Sequence, residues 1–161
     1  MGSALTSLEE YLHTSYSPDC EYVDGVVRER HVGLRPHSGT LSNLIVLLWG
    51  EGRHVWPTVR LRTAPTRCRV PDVCVTVDDP RTDVFETPPF IVIEILAPEH
   101  TASHVLEKLG EYEAFGVRNI WAVDPWFRKA YIYRDRTFRE VARLAIADDA
   151  ISLPLDAVFD F

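Results

Sequence analysis

An almost unbroken run of aliphatic residues marks the middle of the chain. Residues 90–96 read FIVIEIL, and Glu94 is the single polar residue among them. A short apolar run that is rich in β-branched residues predicts a strand whose two faces are both covered. Other apolar or alternating segments predict further strands at 54–62, 70–77, 120–123, 130–133 and 138–144.

Three segments have the pattern of helices. The sequence SLEE has capping-box spacing and predicts a short helix over 7–13. Apolar residues at helical spacing predict a second helix over 36–49. A third helix is predicted over 101–115, with Thr101 as its N-cap and Gly116 at its C-terminal end.

The order of these elements defines the fold class. The run EYVDGVVRER predicts extended chain that turns at Asp24-Gly25, and the apolar tail 151–161 is expected to pack on the sheet. The resulting order, α-β-α-β-β-β-α-β-β-β, is typical of an α/β protein with a mixed β-sheet flanked by helices. No linker or repeat interrupts the chain, and its 161 residues favour a single domain over 1–161.

Two acids in strand patterns are the first candidates for chemistry. A carboxylate such as Glu94 is costly in an apolar strand unless it is paired, hydrogen-bonded or bound to a metal. Asp72 lies in a second apolar strand pattern, RVPDVCVTV. Because side chains alternate along a strand, both acids can point at one spot if the strands are neighbours. Two carboxylates and a backbone carbonyl, that of Ile95, would suit Mg²⁺.

Lys108 is the third candidate. On a helical wheel it falls inside the apolar arc of the predicted third helix, between Tyr112 and Phe115. A lysine that faces the sheet can position a water or stabilise phosphoryl charge. Snorkelling of the amine to solvent is the alternative, and it would be favoured for Lys108 alone. The presence of two acids facing the same region reverses that preference.

Each acid also has a purely structural interpretation. Asp72 follows Pro71, so it can cap a turn or neutralise Arg69. Glu94 can form an ion pair with one of the arginines in the middle of the chain. That interpretation is weaker, because buried ion pairs often cost more than they return.

The distribution of charge qualifies the choice of partner. The net charge of −7 disfavours a nucleic-acid-binding protein when it is taken alone. Between Gly52 and Pro71, however, the chain has no acid and five arginines: Arg53, Arg60, Arg62, Arg67 and Arg69. This segment can meet phosphates, or it can form a solvated strand pair with arginines on its outer face.

Cysteine content and hydropathy indicate the compartment. The three cysteines form no CxxC pair, which argues against a disulfide framework and fits a reducing, cytoplasmic setting. No apolar run approaches the length of a membrane span, and the first residues lack the pattern of a signal peptide. We therefore expect a cytoplasmic protein without a membrane partner.

Five motifs together resemble one known family. EYVDG, RVPDVCV, IVIEILAP, EKLGEY and GVRNIWAVDP occur in this order and spacing in the Uma-two family of restriction-endonuclease-like proteins. That family belongs to the PD-(D/E)xK nuclease superfamily. The similarity covers residues 8–133 and implies a restriction-endonuclease-like core, that is, a mixed β-sheet flanked by helices.

The resemblance implies roles for the three candidates. Asp72 matches the aspartate of the PD motif, and Glu94 matches the second acid. The lysine that usually follows two residues later is absent, because Leu96 stands there. In this family the following helix supplies the lysine, and Lys108 occupies that position.

Four further residues acquire an expected role from the resemblance. Glu21 matches an N-terminal acid that resembles an additional metal ligand. Tyr112 and His37 match a helical tyrosine and a histidine at the start of the second helix, for which packing and capping are favoured over catalysis. His104 stands where the family usually has an aspartate, one helical turn before the lysine, so it should lie beside that lysine.

The resemblance implies a metal-dependent endonuclease. We expect Mg²⁺, or Mn²⁺, as the cofactor, nucleic acid and in particular DNA as the substrate, and a homodimer, because two strands need two sites. One alternative is a catalytically inactive nuclease-fold protein that binds or regulates, which the acidic charge and His104 favour. A small-molecule or structural role, with the acids only in ion pairs, is a third hypothesis.

Overall fold

The fold was analysed in a computed structural model, which describes residues 4–31 and 33–161. These residues contain four helices, α1 Leu8–Leu12, α2 Arg35–Gly50, α3 Ala102–Phe115 and α4 Leu155–Val158. They also contain twelve strands: β1 Cys20–Val23, β2 Val26–Glu29, β3 His54–Pro57, β4 Leu61–Ala64, β5 Arg67–Arg69, β6 Val73–Thr76, β7 Ile91–Ile95, β8 Asn119–Asp124, β9 Lys129–Arg134, β10 Thr137–Val141, β11 Arg143–Ala145 and β12 Ser152–Pro154.

A six-stranded mixed sheet forms the centre of the molecule. Its strand order is β10-β9-β8-β7-β6-β3, and β7 and β8 are parallel while the other neighbours are antiparallel. Residues Ile91, Ile93 and Ile95 of β7 pack with Leu44 and Leu48 of α2 on one face. The opposite face packs on α3. The predicted α/β architecture with a mixed sheet flanked by helices is therefore confirmed.

A second sheet of four strands, in the order β2-β1-β5-β4, lies beside α3 and carries Glu21 on β1. The predicted turn at Asp24-Gly25 joins β1 to β2 as an antiparallel hairpin. Both turn residues have positive φ, 50° and 92°, as a type I′ turn requires. The hairpin therefore fixes the register that turns Glu21 inward.

Local capping signals correctly predicted three helix ends. The hydroxyl of Ser7 accepts a hydrogen bond from the Glu10 amide at 3.1 Å, and that of Thr101 accepts one from the His104 amide at 3.3 Å. Gly116 ends α3 in the left-handed conformation, with φ at 112°. These interactions satisfy backbone groups that a helix end would otherwise leave without partners.

Three predicted strands differ from the structure. The segment 54–62 is two strands in two different sheets, because the chain turns at Thr58, where φ is 51°. The segment 138–144 is likewise divided between β10 and β11. The strand predicted over 70–77 begins only at Val73, so Asp72 lies in a bend before β6, and the alternation argument does not apply to it.

The C-terminal segment packs on the sheet as predicted. Leu153, Val158 and Phe159 belong to the same buried cluster as the isoleucines of β7. The side-chain amide of Asn43 on α2 donates to the carbonyls of Val158 and Asp160, at 3.2 and 2.9 Å. Among the described helices, none has the length and apolar character that crossing a membrane requires.

Candidate active site

Six of the eight residues singled out from the sequence line one cavity, and Ile95 and Tyr112 lie outside its lining. It has a volume of about 420 Å³ and lies where the two sheets approach α3. Its lining includes Glu21 from β1, Asp72 from the bend before β6, Glu94 from β7 and Lys108 from α3. Residues that are far apart in sequence therefore share one concave surface.

Glu94 points away from the isoleucines of its own strand and towards α3. Its Oε1 accepts a hydrogen bond from the Tyr112 hydroxyl at 2.6 Å and forms an ion pair with Lys108 Nζ at 2.8 Å. Among the described residues, Oε2 has no hydrogen-bond partner in the protein. Burial, together with the charges of Asp72 and Glu21, raises the pKa of Glu94 to about 7 despite the opposing charge of Lys108.

Lys108 does not snorkel to solvent. Its side chain is only 11% exposed, and Nζ lies 2.7 Å from Glu21 Oε1 and 2.8 Å from Glu94 Oε1. Burial lowers the pKa of Lys108, but the neighbouring carboxylates outweigh it and raise the pKa above its usual value. The helix therefore delivers a permanently charged ammonium to the acid of the central strand.

Glu21 ties this lysine to the four-stranded sheet. Its Oε1 also accepts from the Val70 amide at 3.0 Å, and its Oε2 accepts from Arg69 Nη1 at 3.1 Å. Burial opposes ionisation, but the charges of Lys108 and Arg69 lower the pKa of Glu21 to about 2. Protein groups thus engage both carboxylate oxygens. The metal-ligand role expected for Glu21 from the resemblance stays a prediction, and these contacts favour a role in positioning Lys108.

Arg69 is a site residue that the sequence argument did not identify. Its guanidinium is fully buried, and it donates to Glu111 Oε2 on α3 at 2.7 and 3.0 Å as well as to Glu21. Glu107 Oε1 is a third carboxylate partner, at 3.3 Å, and a buried arginine paired in this way resists displacement because the loss of a partner leaves buried charge without compensation. The only local signal was its place in the run RVPD, which does not reveal a partner 42 residues away.

Asp72 is held at the end of the central strand. Its Oδ2 accepts from the Ile95 amide at 2.7 Å, so the bend is fixed one residue beyond Glu94. Its Oδ1 accepts from Arg30 Nη2 at 2.9 Å and lies 3.3 Å from His37 Nε2. Although burial acts in the opposite direction, the hydrogen bond from His37 and the charges of His37 and Arg30 lower the pKa of Asp72.

The candidate residues form ion pairs and hydrogen bonds that differ from those expected from the sequence. Asp72 pairs with Arg30, a residue the sequence argument missed, and the ion pair of Glu94 is with Lys108 rather than an arginine. His37 and Tyr112 contact the two acids instead of serving only in capping and packing. Each arginine of the segment 53–69 has an acidic partner: Arg53 with Asp149, Arg60 with Asp19, Arg62 with Glu86, Arg67 with Asp24 and Arg69 with Glu21.

The donor groups determine which metal the cavity suits. Within 4–31 and 33–161, no three or more His, Cys, Asp and Glu side chains are grouped so as to hold a metal ion. Mg²⁺, however, keeps several waters and needs only one or two carboxylates. The amide of Ile95, the residue after Glu94, donates to Asp72 Oδ2, and Glu94 Oε2 has no hydrogen-bond partner among the described residues. These carboxylate oxygens suit a hydrated hard cation, which would compete with Arg30 and His37 for Asp72 Oδ1. The ligand role expected for the Ile95 carbonyl stays a prediction.

Four aromatic side chains of the cavity lining are exposed or half-buried, and they define its mouth. His31, His100, His104 and Trp126 all line it. The ring centroids of His31 and His100 are 5.0 Å apart, and those of His100 and His104 are 6.3 Å apart. His104 lines the cavity together with Lys108. Burial is the main cause that lowers the pKa of His104, and the positive charge of Lys108 adds to it.

Comparison with known proteins supports the fold and identifies the family. The chain resembles a crystal structure described as a putative nuclease belonging to DUF820 from Anabaena variabilis ATCC 29413, with a TM-score of 0.82 and 19% sequence identity. The match covers 96% of this chain and 97% of that one, and at this identity it establishes the fold. A comparison with curated proteins gave no match. The model of the Uma2 family, described as "Putative restriction endonuclease", matches residues 8–159, and the chain therefore belongs to the Uma2 family.

Proposed function

We propose that the protein is a Mg²⁺-dependent nuclease that hydrolyses phosphodiester bonds in nucleic acid. One observation carries the proposal: α3 delivers Lys108 to within 2.8 Å of Glu94, in a cavity that Asp72 also lines. The lysine is present in space although Leu96 occupies its usual place in sequence. Family membership and fold support a nuclease, and the metal, the substrate and the residue roles are our assignments.

Asp72 and Glu94 would hold the cation, and the cation would polarise the phosphodiester and lower the pKa of a bound water. Lys108 keeps its proton and faces the phosphoryl group as a fixed positive charge. Tyr112 donates to Glu94 Oε1 and so turns Oε2 to the cavity. Glu21 positions Lys108, and Arg69 holds Glu21 in place.

Asp72→Ala tests the metal site directly. We expect it to abolish both Mg²⁺ binding, measured by calorimetry, and cleavage of a labelled oligonucleotide. Asp83→Ala is the matched control, because Asp83 is an exposed acid outside the cavity. Unchanged cleavage by folded Asp72→Ala protein would refute the mechanism, since no other described carboxylate is hydrogen-bonded to the Ile95 amide beside Glu94.

A nuclease-fold protein that binds without cutting is the second candidate. Two observations favour it: His104 replaces the family's aspartate, and Asp72 Oδ1 is already paired with Arg30 and lies 3.3 Å from His37 Nε2. Such a protein would shift oligonucleotides in a gel but leave them intact with both Mg²⁺ and Mn²⁺. A DNA substrate and a homodimer stay predictions, which sugar-specific substrates and sedimentation equilibrium would test.

A further inference from the structure

The mouth of the cavity has features that metal binding and catalysis do not use. The imidazoles of His31, His100 and His104 form a row, with interplanar angles of 57° and 36° between successive rings. The indole of Trp126 lines the same opening from the turn after β8. Flat π-systems that line a cavity are surfaces on which a nucleic-acid base can stack.

The protonation of His100 follows from its backbone contact. The Ala97 amide donates to His100 Nδ1 at 3.2 Å, and because an amide only donates, Nδ1 carries a lone pair and Nε2 carries the proton. Burial, with the nearby His31 and Lys108, lowers the pKa of His100 to about 4. At neutral pH His100 therefore presents an uncharged ring and an N–H donor, which suits a base or a phosphate oxygen better than a metal ion.

The charge of the cavity opposes binding by electrostatics alone. Five carboxylates and three permanent bases line it: Glu21, Glu29, Asp72, Glu94 and Glu99 against Arg28, Arg30 and Lys108. The arginines of the segment 53–69 are paired with acids. Neither the cavity lining nor the segment 53–69 therefore supplies an unpaired basic surface for the phosphates, and stacking is the additional source of affinity that the cavity itself offers beside the metal.

The buried position of the two carboxylates limits which substrates can reach them. The side chains of Asp72 and Glu94 are only 5% and 7% exposed, so a phosphodiester has to enter the cavity to reach them. A base-paired nucleotide is held in its stack, whereas an unpaired one can splay its base onto an aromatic wall.

We propose that the cavity mouth is a subsite for one unpaired nucleotide, whose base lies against His100, His104 and Trp126 while its phosphodiester reaches Asp72 and Glu94. The substrate is then single-stranded or locally unpaired nucleic acid. This assignment deepens the proposed nuclease function and rests on it. A single strand needs only one site, so the subsite does not require a second copy of the chain.

Binding is measured on the full chain by fluorescence anisotropy, with Ca²⁺ as the probe cation. We expect a labelled single strand to bind about tenfold or more tightly than the duplex of the same sequence, in DNA or RNA form. Trp126→Ala and His100→Ala should each weaken single-strand binding about tenfold, and Trp126→Phe should retain most of it. Phe127→Ala and His54→Ala, which remove exposed rings outside the cavity, should change nothing.

Two results would overturn the subsite. One is a duplex that binds as tightly as the single strand. The other is unchanged affinity in Trp126→Ala and His100→Ala proteins whose thermal unfolding matches the wild type. Failure of the nuclease function is a separate outcome: a strand that binds through these rings but is never cut in Mg²⁺ upholds the subsite and removes the catalysis. Cleavage of a duplex that Trp126→Ala leaves unchanged would support the nuclease function and refute the subsite.

Discussion

Glu21→Gln is the most informative single change for the charge network around Lys108. Glu21 lies between two buried cations, 2.7 Å from Lys108 Nζ and 3.1 Å from Arg69 Nη1. The substitution keeps the shape and one acceptor oxygen but removes the negative charge. Both cations then lose a carboxylate partner without gaining contact with water.

Two independent quantities give the expected decrease in the free energy of unfolding. The pKa of Glu21 falls from an ordinary 4.5 to about 2 in the folded protein. Because one pKa unit corresponds to about 1.4 kcal/mol, the ionised carboxylate contributes about 3 kcal/mol to the free energy of unfolding. Removing one partner of a buried ion pair typically costs about 3–5 kcal/mol, which agrees.

The same pKa sets the pH range of the effect. A folded-state pKa that is lower than the unfolded value stabilises the protein fully above pH 4.5, and the contribution disappears as pH falls from 4.5 to about 2. Urea unfolding, followed by tryptophan fluorescence across this range, should show wild type and Glu21→Gln converging at low pH. Oligonucleotide cleavage should also fall, because Lys108 loses its positioning partner.

Glu140→Gln is the matched control. Glu140 also accepts from a lysine at 3.1 Å, but both side chains of that pair are about half exposed, at 46% and 54%. Exposed pairs contribute little, so its free energy of unfolding should stay nearly unchanged. The reasoning is refuted if Glu21→Gln is no more destabilised than this control at pH 7, or if wild type and Glu21→Gln lose stability in parallel below pH 4.5.

Two further predictions concern Glu94 and Thr40. The pKa of Glu94 is raised from 4.5 to about 7, so the folded state holds a proton that the unfolded state releases, and stability falls as pH rises through this range. Glu94→Gln should therefore become more stable than wild type above pH 7, measured by urea unfolding at pH 5 and 8, while wild-type Mg²⁺ affinity measured by calorimetry should rise as Glu94 ionises. The buried hydroxyl of Thr40 has no partner among the described residues, so Thr40→Val should stabilise the protein by about 1 kcal/mol. A urea midpoint of Thr40→Val at or below the wild-type value would contradict the conclusion that the Thr40 hydroxyl is buried without a hydrogen bond.

Local sequence signals were sufficient for much of the fold. The caps at Ser7 and Thr101, and Gly116 after α3, lie within a few residues of the backbone groups they satisfy. The strand of Glu94 was predicted because its composition alone requires cover on both faces. The inward position of Lys108 followed from helical periodicity, which is also a local property.

The parts that could not be predicted depend on contacts between distant segments. Thr58 has no glycine-like signal, yet its positive φ separates β3 from β4 and assigns them to different sheets. Arg30 meets Asp72 across 42 residues, and Arg69 meets Glu111 across the same separation. A single sequence contains many arginines and acids, and only the packing of the two sheets against α3 selects these pairs.

The contacts of α3 have a mechanical consequence. Its face towards the four-stranded sheet is fastened by charges: Lys108 to Glu21, and Glu111 to Arg67 and Arg69. Among the described residues, Leu61 alone of this sheet belongs to the apolar cluster buried under α3, and cooperative units of a protein open first where few buried apolar contacts hold them. The four-stranded sheet should therefore exchange its amide hydrogens as one unit, ahead of β7 and β8. Lys108 then connects the four-stranded sheet to the central sheet as well as supplying charge to the cavity. Each local opening of this boundary would separate Lys108 from Glu21 and disrupt the site.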